Sequence, residues 1–86
     1  MKLIILNLPR DLNEQSLAFF FKKIGDIKSC KVVSDKYTKI SKGFGFVEMT
    51  SNYDGEMAIK ELHGTKIGKN KIRIKQSNDQ QSNFNF

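Results

Sequence analysis

Apolar and polar residues alternate in two spacings along this chain, and the spacings predict its elements in order. Leu3-Ile4-Ile5-Leu6 is a short apolar run with β-branched residues and reads as a central strand. Pro9 stops it, because proline has no N–H for a ladder. Apolar residues then return at Leu17, Phe20, Phe21 and Ile24, the spacing of a helix that buries one face. Asn13 is placed to cap that helix, Glu14 suits its positive end, and Gly25 reads as the left-handed residue that closes it. Phe19 falls off the apolar stripe. Residues 27–33 form a second strand, with Cys30 and Val32 inward and Ser29, Lys31 and Val33 on the other face. A polar loop follows, carrying Lys36, Tyr37 and Lys39. Residues 42–49 form a third strand, and residues 53–63 a second helix with Ala58, Ile59 and Leu62 toward the sheet. Gly55, in the first turn of that helix, implies a close contact with the sheet. After the turn Gly68-Lys69-Asn70, residues 71–75 alternate as a fourth strand.

The order β-α-β-β-α-β is the ferredoxin-like split unit, an α+β sandwich. A four-stranded antiparallel sheet carries two helices on one face and leaves the other open. Residues 1–75 make this domain, and 76–86, rich in Gln, Asn and Ser, read as a flexible polar tail that buries too little to fold. The third strand, Lys42-Gly43-Phe44-Gly45-Phe46-Val47-Glu48-Met49, organises the rest. Val47 and Met49 suit the core, which puts Lys42, Phe44 and Phe46 on the open face. Phenylalanines in an arbitrary F-x-F strand are usually buried. Here Ile4, Lys31, Lys71, Arg73 and Lys75 converge on the same face by alternation. Aromatic rings beside cations match a base with its flat π face and a charged backbone.

The formal net charge is +6, which favours a polyanionic partner. A single cysteine forms no internal disulfide, and Cys30 lies among apolar residues as a core filler. The single histidine, His63, stands before Gly64 and suits a helix end; no acid or base cluster accompanies it. Acyl phosphate hydrolases of this fold need a glycine-bordered phosphate loop ending in arginine. Asn7-Leu8-Pro9-Arg10-Asp11 supplies Arg10 without the glycines. The reading is therefore of a binding protein, not an enzyme, with no cofactor and no metal. Residues 3–8 are too few for a membrane span or signal core, so a cytoplasmic location is expected.

Lys42 to Val47 matches six successive positions of the octamer K/R-G-F/Y-G/A-F-V-x-F/Y, and residues 1–75 resemble a complete RNA-recognition motif. Met49 replaces the last aromatic. Leu3 to Leu8 resembles the second signature, apolar–aromatic–apolar–x–Asn–Leu, at five of six positions; Ile4 stands where the family places a stacking aromatic. The resemblance extends to the small single-domain members found in bacteria. It implies that Phe46 stacks under one base and Phe44 lies against sugars. It also implies that Lys42 pairs with phosphate, Ile4 covers the neighbouring base, and the fourth strand and Gln76 touch base edges. The implied partner is single-stranded RNA, with single-stranded DNA as an alternative, bound by a monomer with roughly micromolar affinity. The implied role is post-transcriptional regulation or RNA chaperoning. A second reading is a protein-interaction module that uses the helical face, supported by Ile4, Phe19 and the phenylalanines of the tail.

Overall fold

The computed structural model describes residues 1–77. The expected tail from residue 78 onward lies outside the described residues. The elements are β1 (Lys2–Leu6), α1 (Glu14–Lys22), β2 (Ile27–Ser34), β3 (Ser41–Met49), α2 (Asn52–Leu62), β4 (Lys66–Ile67), β5 (Asn70–Lys71) and β6 (Arg73–Gln76). Four of them form an antiparallel sheet in the order β2-β3-β1-β6, and β4 pairs with β5 in a small separate hairpin. This is the ferredoxin-like sandwich, with one departure at its last strand.

One face of the sheet meets both helices. Leu3 and Ile5 of β1, Val47 and Met49 of β3, Ile74 of β6 and Val32 of β2 are buried there against Leu17 and Phe21 of α1 and Ala58 of α2. Phe20, Ile24, Ile59 and Leu62 pack around this cluster, as their helical spacing requires. Asn13 caps α1, its Oδ1 accepting from the Ser16 amide at 2.8 Å, and Ser51 caps α2 through the Asp54 amide at 3.0 Å. Gly55 is buried against Met1, at the start of β1.

Gly25 does not close α1 by a left-handed turn, because its φ is not positive. It is glycine for space: a Cβ there would collide with the Asp54 carboxylate of α2. The helix ends earlier, with Lys23 as its C-cap.

The fourth strand is divided. The amide of Ile72 donates to Thr65 O at 2.9 Å, and its carbonyl accepts from Gly64 N at 2.8 Å, so this residue bonds to the segment after α2 and not to β1. Lys71 consequently belongs to the small hairpin, opposite Lys66. Only from Arg73 does the chain pair with β1.

Both outer edges of the sheet carry a side-chain acceptor. On β2 the outward amide of Val32 donates to Glu14 Oε2 at 3.0 Å. On β6 the outward amide of Ile74 donates to His63 Nδ1 at 2.9 Å. His63 thus serves the end of α2 and the flank of the sheet together.

Candidate nucleic-acid interface

Register across the sheet sorts the outer face into rows. Lys31, Phe46, Ile4 and Lys75 are successive partners across β2, β3, β1 and β6 and form the central row. Val33, Phe44, Leu6 and Arg73 form the next. Ser29, Glu48 and Lys2 lie on the other side of the central row. With strands about 4.8 Å apart, a central row of four spans about 14 Å, room for two adjacent bases over its apolar middle with a lysine at each end. Glu48 offsets some of the positive charge and lies 3.9 Å from Lys28.

The two rings are not equally open. Phe44 is half-buried, whereas Phe46 keeps only 7 % of its surface exposed, although it lies outside the core cluster. The expectation of two uncovered rings is corrected on this point. Phe46 sits mid-sheet, with Lys31 and Ile4 on either side in its row and Phe44 along its strand. The Phe44 and Phe46 rings meet edge to face, 6.1 Å apart at 86°. Stacking on Phe46 asks its surroundings to give way.

Lys42 reaches this face by a different route from simple alternation. Val33 pairs with Phe44, but the next pair is Ser34 with Ser41, so Lys42 and Gly43 bulge out of the ladder. Gly43 takes φ +87°, its amide donates to Ser41 Oγ at 3.0 Å, and its carbonyl accepts from Leu8 N at 2.8 Å. The bulge turns Lys42 into a cleft of about 500 Å³ at the Phe44 end of the sheet, shared with Arg10, Arg73, Asn7 and Asn70.

Two expected site residues lie elsewhere. Lys71 is in the β4–β5 hairpin and contributes its carbonyl, which accepts from Asn7 Nδ2 at 2.9 Å. Gln76 pairs with Leu3, a core-facing position, so alternation sends its side chain to the helical side at the sheet's edge. Ile4, Lys31, Phe44, Phe46, Arg73 and Lys75 fall on the outer face, with Lys42 at its end. Leu6 was missed, although alternation with Ile4 marks it. The asparagines at the cleft were missed because their contacts join residues more than 60 positions apart.

The loop between β2 and β3 is ordered by Asp35. Its Oδ1 accepts from the Tyr37 and Thr38 amides at 2.8 and 2.9 Å, and its backbone bonds to Lys39 and Ile40. Those amides hold the Asp35 carboxyl below its ordinary value. Tyr37 is displayed at the tip, 86 % exposed. Burial, and then the nearby Glu14 charge, push the Cys30 thiol up to about 11, so it is an inert filler. Among the described residues no group of His, Cys, Asp or Glu is arranged to hold a metal ion, and no helix is long and apolar enough to cross a membrane.

Comparison with known proteins agrees with this geometry. The family model of the RNA recognition motif matches residues 3–73. RNA-binding protein BRN2 of Arabidopsis thaliana is 40 % identical over 81 residues, covering 92 % of this chain and 19 % of its own length. The chain spans about a fifth of the length of the curated relatives it matches. Among solved structures, the complex of the Sex-lethal protein with RNA superposes with a TM-score of 0.88 at 32 % identity, covering 91 % of this chain and 47 % of that one. The crystal structure of RNA-binding protein PG1 also gives 0.88 at 32 % identity, over 92 % of this chain and 95 % of its own. The two signatures, the strand order and these likenesses coincide: the chain belongs to the RNA recognition motif family.

Proposed function

We propose that this protein binds single-stranded RNA on the outer face of its sheet, by base stacking on Phe44, Phe46 and Ile4 and by phosphate contacts from lysine and arginine. The observation that carries this reading is the central row, an apolar middle of Phe46 and Ile4 bounded by Lys31 and Lys75. Single strands suit such a surface because their bases can be splayed onto it. Family membership and the RNA complex of the Sex-lethal protein support the same partner. A role in post-transcriptional regulation or RNA chaperoning follows from weak, sequence-tolerant stacking.

Each stacking side chain is worth about 1–3 kcal/mol by substitution, a loss of roughly five- to 160-fold in affinity. Because Phe46 is largely buried, Phe46→Leu is the better variant there: it keeps most of the packing and removes the π face. Phe44→Ala and Phe46→Leu are expected to weaken binding to single-stranded RNA by at least fivefold, read by fluorescence anisotropy, with circular dichroism unchanged. Unaltered affinity in both variants defeats the reading.

One observation favours a protein partner on the helical side as a second reading. Phe19 is 59 % exposed, its ring edge-on to Phe20 and covered on one side by Lys23 Nζ at 4.6 Å. Chemical-shift mapping separates the two, since RNA perturbs the sheet and a protein on this patch perturbs α1.

A further inference from the structure

The cleft at the Phe44 end of the sheet has a chemistry that the stacking rows lack. Arg10, Lys42 and Arg73 surround it with positive charge, and Phe44 lines it. Its asparagines are locked in orientation. Asn7 Nδ2 donates to the carbonyl of Lys71 at 2.9 Å, and Asn70 Nδ2 donates to the carbonyl of Asn7 at 3.2 Å. A carbonyl can only accept, so neither amide can flip without losing its bond. The atoms left to meet a ligand as acceptors are therefore Asn7 Oδ1 and Asn70 Oδ1, and neither accepts a bond among the described residues. Asn7 is further constrained at φ +64°, on the turn that leaves β1. The cleft thus holds two pre-set acceptors, each beside the remaining N–H of its own amide, inside a cationic rim.

We propose that this cleft is a base-selective nucleotide subsite that takes a base carrying an exocyclic amino group. The proposal rests on the RNA-binding reading above and deepens it. A strand crossing Phe44 turns off the edge of the sheet here. The cations hold its phosphate, and the next base enters the cleft. An amino group donates to the asparagine oxygens. Uracil presents carbonyl oxygens where adenine or cytosine presents that amino group, and at Asn7 Oδ1 and Asn70 Oδ1 it meets acceptor with acceptor. Selectivity comes from leaving a polar group unmatched, which costs more than a hydrogen bond gains.

The test uses uridine hexanucleotides in which one adenosine or one cytidine is moved through each position in turn. Wild-type protein is expected to prefer the amino-bearing base by about three- to tenfold at one position. In Asn70→Ala that preference is expected to fall below twofold, with circular dichroism reporting the fold. In wild-type protein the side-chain amide resonances of Asn7 and Asn70 are expected to shift with the preferred hexamer and not with uridine alone. This measurement stands if Asn70→Ala does not fold. Equal affinity for every hexamer, with Phe44→Ala still weakening binding, overturns the subsite and spares the sheet reading. Equal affinity that neither Phe44→Ala nor Phe46→Leu alters overturns both.

Discussion

Ile4 occupies the middle of the outer face, beside Phe46 and opposite Lys75. On the proposed reading it covers a base by dispersion alone. It is only half-buried, so a larger side chain there needs no room in the core. Ile4→Phe is expected to raise RNA affinity about fivefold or more, the low end of what one stacking ring contributes, measured by anisotropy against the parent protein. The outward placement of Ile4 was legible because Leu3 and Ile5 compete for the core and it does not. Leu6 was less so: in Leu3-Ile4-Ile5-Leu6 no polar residue marks the outward side, so only strict alternation identifies it. The burial of Phe46 was not legible at all. It depends on tertiary surroundings, which no local pattern specifies.

The third strand shows what an element's pattern does and does not contain. Alternation from Phe44 to Met49 placed each side chain on the observed face. The bulge at Lys42 and Gly43 is invisible to alternation, because two extra residues restore the period on either side. Its requirement is conformational: at φ +87° any Cβ is strained, although the nearest atoms, Arg10 Nε and Leu8 O, lie at an ordinary 3.6 Å. Gly43→Ala is expected to cost about 1–2 kcal/mol and to lower Tm by roughly 5–10 °C in a thermal melt. The β2–β3 loop has its own condition. Asp35 is held below its ordinary value by backbone amides, so its contribution is complete above the usual carboxylate range and is lost as pH falls through the depressed value. Below about pH 4 the Tyr37 and Thr38 amide resonances are expected to move together as the loop loosens, while core amides stay in place. The fourth strand misleads in another way. Residues 71–75 alternate cleanly whether they form one strand or two, and the choice lies in the distant partners Gly64 and Thr65.

At the scale of the molecule, two helices cover one side of the sheet and the other side collects the cations. The fold followed from the order of the periodic segments, since each reads as one element with one apolar face. The charges of the outer face derive from three separated segments: Lys31, Lys42 and the pair Arg73 and Lys75 come together only when the sheet forms. If all four neutralise phosphates, log K is expected to fall with log salt at a slope of roughly −2.8, at about −0.7 for each contact. A slope near zero in a salt titration contradicts a backbone-contacting surface.

The carboxylate on β2 and the imidazole on β6 have a consequence for crowding on a shared transcript. A strand from a second molecule can extend a sheet only where amides stand vacant, and at Val32 and Ile74 those positions are taken. If the protein binds RNA as proposed, neighbours on one strand are expected to be spaced by the nucleotides each one covers, as beads are by the thread, and not joined edge to edge at these two positions.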